Sequence, residues 1–106
     1  MSGSRTTTGA SFTGMQADRK LTKQELIREV RAMVCSEYEA IKLYTQLAES
    51  TNDAVAKAVL MDVAKEEIVH AGEFLKLLKY LHPEEEKYYQ DGAKEVEEMI
   101  EKVGNK

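Results

Sequence analysis

The chain has 106 residues, of which 32% are charged and 7% aromatic, with no Trp, one Pro and a net charge of −4. That length allows one small domain, and the acidic balance argues against a nucleic-acid surface. No apolar run is long enough to span a bilayer, the N-terminus lacks the apolar stretch of a secretory signal, and the lone Cys35 fits a reducing compartment as a small helix residue.

Residues 1–14 contain ten Ser, Thr or Gly, so positions 1–20 are expected to form a disordered tail ahead of a domain over 21–106. A linker, a leftover of expression and a docking peptide all suit that composition. The first helix is predicted to start at the capping box Thr22-Lys23-Gln24-Glu25, with Leu21 and Leu26 as a hydrophobic staple, and to run to about Glu49. Its stripe reads Leu26, Val30, Met33, Glu37, Ala40, Tyr44, Leu47. One carboxylate, Glu37, interrupts an apolar seam.

The polar run Glu49-Ser50-Thr51-Asn52-Asp53 supplies a turn and good N-cap residues. A second helix is predicted from Asn52 or Asp53 to about Leu81. Positions alternately four and three apart give Ala56, Leu60, Val63, Glu67, His70, Phe74, Leu77, Leu81. Six are apolar; Glu67 and His70 are not. Glu-x-x-His places a carboxylate and an imidazole on one helix face. That is the spacing of carboxylate-bridged di-metal sites in helix bundles. A bare Glu-x-x-His in a Glu-rich helix is weak evidence: Glu67 could pair with Lys65, and His70 could be a satisfied core histidine. Height along the helices strengthens the metal reading. Glu37 lies 14 residues before Thr51 and Glu67 lies 15 after Asn52, so an antiparallel pair sets them level at about 1.5 Å per residue. An unpaired carboxylate on a core seam costs too much to go unexplained.

Pro83 sits where an N1 proline belongs, and a short turn of helix is expected to Gln90. Asp91-Gly92 reads as a break. A last amphipathic helix carries Val96, Met99, Ile100 and Val103 and ends at Gly104. From Glu84 to Val103 eight acidic residues stand against three lysines. This is a solvated face on the plain reading and a lip that attracts cations on the sharper one. Two long one-sided helices make a marginal monomer. The expected fold is therefore all-α: an antiparallel two-helix hairpin plus a short C-terminal helix, dimerising into a four-helix bundle. Symmetry then supplies two copies each of Glu37, Glu67 and His70, a set suited to two iron ions, with Mn or Zn able to substitute.

With those residues placed, the chain resembles the encapsulated ferritins of the ferritin-like/rubrerythrin superfamily over residues 22 to about 103. The resemblance rests on Ser36-Glu37-Tyr38-Glu39-Ala40-Ile41-Lys42-Leu43-Tyr44 and on Val63-Ala64-Lys65-Glu66-Glu67-Ile68-Val69-His70-Ala71-Gly72-Glu73-Phe74. Pro83-Glu84-Glu85 and the Gly92 region match as well. It implies a ferroxidase that oxidises Fe(II) with dioxygen at a di-iron site shared between two protomers. Glu37, Glu67 and His70 match the metal ligands, Tyr44 a tyrosine beside the metals, and Glu39 one carboxylate of an outer site through which metal enters. The companion acidic position of that outer site falls on Ser36, and its aromatic on Leu43. The resemblance further implies a homodimer assembling into a decamer. It also implies an encapsulin shell as partner, and hence a cytoplasmic nanocompartment where iron is stored. Family members carry a shell-targeting peptide after the last helix, where this sequence has only Gly104-Asn105-Lys106. Two alternatives stand beside this one. A rubrerythrin-like peroxidase of the complete type needs four thiolates for its second iron site, and the chain has one Cys. A helical-hairpin dimer without metal is the non-catalytic alternative.

Overall fold

The computed structural model describes residues 19–104. These form helix α1 (Lys23–Glu49), helix α2 (Ala54–Leu81), a 3₁₀ turn (Pro83–Glu85) and helix α3 (Glu86–Gly104), with no strand among the described residues. Except for Arg19 and Lys20, the tail expected over 1–20 lies outside the described residues. Among the described residues no helix is long and apolar enough to cross a membrane.

The sequence signals mark the helix ends. Thr22 and Glu25 form the reciprocal capping box, each side chain satisfying the other's backbone N–H. Arg19 reinforces it with a two-pronged ion pair to Glu25 at 2.8 Å. Asp53 caps α2 by accepting from the Ala56 N–H at 2.9 Å, and Pro83 opens the 3₁₀ turn at its first position.

Helices α1 and α2 pack antiparallel, and their buried apolar residues are Ile27, Val30, Val34 and Ala48 on one and Ala64, Ala71 and Leu78 on the other. The densest part, Ile27, Val30 and Leu78 with Phe74 and Leu81 against them, lies at the end remote from the turn. This corrects the expected stripes. The hairpin seam on α1 is rotated by one residue, through Ile27 and Val34 rather than Leu26 and Met33. Leu26, Leu47 and Leu77 remain more than a third exposed. The physical reason is that α1 and α2 are apolar on more than one side, so two stripes fit a helical period and only contact decides which is used first.

Positions seven apart keep their side of a helix. Leu26, Met33, Ala40 and Leu47 on α1 and Val63, His70 and Leu77 on α2 therefore line one side of the hairpin. Arg31 and Tyr38 with Met61, Ile68 and Leu75 line the other. The break expected at Gly92 does not occur: α3 runs through it without interruption, and no glycine has positive φ among the described residues. A helix tolerates an interior Gly at a cost of about 1 kcal/mol, and good helix formers on both sides of Gly92 outweigh it. Every residue of α3 after Glu86 is exposed.

Candidate metal centre

Midway along the hairpin, the apolar seam gives way to Glu37 and Glu67. Each helix brings its carboxylate inward for a local reason. Glu37 follows Val34 by three residues, and Glu67 lies between Ala64 and Ala71, all three of which are buried. The two alanines are small, so α1 approaches α2 closely at this level. The Glu37 and Glu67 side chains are only 17% and 19% exposed, whereas His70 is 50% exposed. His70 therefore stands at the edge of the seam, on the side lined by Leu26, Leu47 and Leu77, and is not a core histidine.

The three groups converge. One ligand atom from each lies within 4.8 Å of the others. His70 Nδ1 is 3.2 Å from Glu67 Oε1 and 4.0 Å from Glu37 Oε1. Among the described residues Glu67 makes no lysine ion pair.

The electrostatics are those of a proton-sharing cluster. A hydrogen bond with Glu67, and then burial, push the Glu37 carboxyl above its ordinary value. The same bond from Glu37, followed by His70, holds Glu67 below its own. Glu67 in turn raises His70. Two adjacent carboxylates cannot both ionise cheaply without a cation. A metal ion bound between them would relieve that cost. Two carboxylates and an imidazole are a hard-to-borderline donor set that fits Fe(II), Mn(II) or Zn(II).

The other two expected site residues stand apart. Tyr44 is half-buried one heptad beyond Glu37 on the same face and makes no hydrogen bond to the cluster among the described residues. Glu39 is exposed and faces Lys42 at 3.8 Å. Cys35 is exposed.

A second polar network was not foreseen. Arg31 on α1 donates to Glu85, which also accepts from Tyr89 at the start of α3. Its members are 54 residues apart along the chain, so no local spacing announces it.

Comparison with known proteins agrees with this architecture. The rubrerythrin family model matches residues 30–105. A ferritin-like–encapsulin shell fusion protein of Pyrococcus furiosus is 40% identical over 82 residues, covering 77% of this chain but only 24% of that protein. The encapsulin nanocompartment cargo protein EncC of Myxococcus xanthus is 36% identical, covering 81% of this chain and 72% of that one. The crystal structure of the encapsulated ferritin domain from Pyrococcus furiosus superposes with a TM-score of 0.75 at 40% identity, covering 77% of this chain and 84% of that one. The chain belongs to the rubrerythrin family of ferritin-like proteins, as a member of the encapsulated-ferritin type.

Proposed function

We propose that the protein is a ferroxidase whose di-iron site is completed by a second copy of the chain. The observation that carries the reading is the convergence of Glu37, Glu67 and His70 within 4.8 Å at the border of an uncovered apolar face. One protomer offers three donors, too few for two ions. A second hairpin seated on the Leu26–Leu47–Leu77 side covers exposed apolar surface. It also brings a second Glu37, Glu67 and His70 to the first.

Fe(II) is the substrate. Glu37 and Glu67 bind as anionic oxygen donors, and His70 binds through a neutral nitrogen. Hard anionic oxygens favour Fe(III) over Fe(II), which drives the oxidation. Each of two ferrous ions loses one electron, and dioxygen accepts both with two protons to leave as hydrogen peroxide. Tyr44 lies about 10 Å along α1 from Glu37, too far to be a ligand of the same ion. Its role is a hydrogen bond or an electron supplied to the oxygen chemistry. Glu39 feeds cations toward the cluster from the exposed surface. The names of the relatives favour an encapsulin shell as partner and a cytoplasmic nanocompartment as location. The dimer would be the unit of a larger ring, of ten chains by resemblance.

The test is anaerobic addition of Fe(II) followed by air, reading ferric absorbance for the wild type, Glu37→Ala and His70→Ala. Oxidation at least tenfold above buffer, lost in both variants, is expected. Oxidation no faster than buffer with no bound metal would overturn the reading and leave a helical scaffold.

A further inference from the structure

A histidine that binds a metal through one ring nitrogen has a second nitrogen to satisfy, and the partner of that second nitrogen fixes how the ring is turned. His70 turns Nδ1 inward. That atom lies 3.2 Å from Glu67 Oε1 and 4.0 Å from Glu37 Oε1. Nε2, on the far edge of the ring, faces away from the seam, and the side chain is half exposed. With a metal at Nδ1, the one proton of the neutral ring sits on Nε2 and calls for an acceptor.

Helix α1 offers no acceptor at this level. His70 lies three residues farther from the turn than Glu67, which sets it opposite Met33 and Val34, both apolar. The neighbouring backbone carbonyls of α2 are engaged within the helix. Two carboxylates of α2 flank His70, Glu66 four residues before it and Glu73 three after. Both share a face with it, at roughly 5–6 Å between Cβ atoms.

Direction separates the two. Side chains on a helix lean toward its N-terminus, over the turn that precedes them. Glu73 therefore leans onto His70, whereas Glu66 leans away from it, toward Asp62 and Val63. In projection, Glu67 and Glu73 stand about 60° to either side of His70. Glu67 is on the seam side and Glu73 on the exposed side. Among the described residues Glu73 makes no ion pair, so its carboxylate is uncommitted. Its charge reaches the imidazole. His70 is raised first by its bond with Glu67, and then by the charges of Glu67, Glu37 and Glu73 in that order.

We propose that Glu73 is a positioning residue of the site: its carboxylate accepts the hydrogen bond of the His70 Nε2–H and so holds the ring with Nδ1 turned toward the metal. Glu37 and Glu67 take the inner side of the imidazole, and Glu73 takes the outer one. This role rests on the reading of His70 as a metal ligand. It fixes the tautomer and rotation of that ligand, and a carboxylate in this place also makes the nitrogen at the metal more basic.

The experiment compares Co(II) binding, by calorimetry, to the full chain as wild type, Glu73→Ala, Glu73→Gln, Glu66→Ala and His70→Ala. Glu66→Ala removes the same charge from the same helix but leaves the acceptor. Glu73→Ala should weaken binding roughly 10- to 100-fold, with helicity by circular dichroism retained. Glu73→Gln keeps an acceptor oxygen and should recover part of the loss. Glu66→Ala, a solvated charge off the ring, should stay within about threefold of wild type. In the Zn(II)-loaded chain, nitrogen NMR should find the His70 proton on Nε2, exchanging with solvent faster in Glu73→Ala than in wild type. Equal losses in Glu73→Ala and Glu66→Ala would reduce the effect to bulk charge and overturn the proposal. Glu73→Ala binding as wild type does, while His70→Ala does not bind, would overturn it too and leave the ligand reading standing. A wild type that binds no Co(II), or a His70→Ala that binds as wild type does, would sink both.

Discussion

Glu37 and Glu67 show how two residues of one type acquire different states from position alone. The bond between them raises Glu37 and lowers Glu67, and Glu67 in turn raises His70. A divalent cation favours ionised carboxylates and a neutral imidazole, against the raised Glu37 and His70, so binding should release protons as the pH is lowered toward their titration. Titration with Co(II) by calorimetry, in buffers of different ionisation enthalpy, should show it. Glu37→Gln keeps a hydrogen-bond donor toward Glu67 and removes one anionic ligand. Its metal-free melting temperature should stay within a few degrees of wild type while Co(II) affinity falls at least tenfold. Glu25 gives the opposite kind of case. Its hydrogen bonds from Arg19, first, and from the Thr22 backbone hold it at about 2, against an ordinary 4.5. A carboxylate depressed in the folded state stabilises the fold above its unfolded pKa, and that contribution drains away as pH falls toward the folded value. Glu25→Gln should therefore lower the melting temperature at pH 7 and converge on wild type between about pH 4.5 and 2.

At the scale of elements, capping and breaking signals fared differently. Thr22, Asp53 and Pro83 stand at the ends they mark, because a cap satisfies backbone groups that have no other partner nearby. The Asp91-Gly92 break failed because it competes with favourable helix on both sides. Gly92 has open space where a Cβ would lie, and its φ is not positive. Gly92→Ala should accordingly stabilise α3 by roughly 0.5–1 kcal/mol, read as increased helicity and a higher melting temperature. A loss of stability would mean that α3 is not continuous there.

At the scale of the molecule, the hairpin buries one seam and leaves two apolar sides open. One side holds Leu26, Leu47 and Leu77, the other Met61, Ile68 and Leu75. In the proposed dimer folding and association are linked, so the melting temperature should rise with protein concentration. A thermal scan over a hundredfold range of concentration should show an upward shift of several degrees. No shift would indicate a hairpin stable by itself.

The sequence by itself determined the helical class, the ends of the two long helices and the height of Glu37 against Glu67. Those follow from local rules: period, caps and a fixed rise per residue. It also carried the family, through the two motifs around Glu37 and His70. Tertiary structure decided which of two overlapping stripes on α1 is buried, because only contact with Ala64, Ala71 and Leu78 selects Ile27 and Val34 over Leu26 and Met33. It decided that His70 stands at the rim of the seam, open to a second chain. It also decided that Arg31 meets Glu85 and Tyr89, a meeting set by the end of the hairpin rather than by any spacing along it.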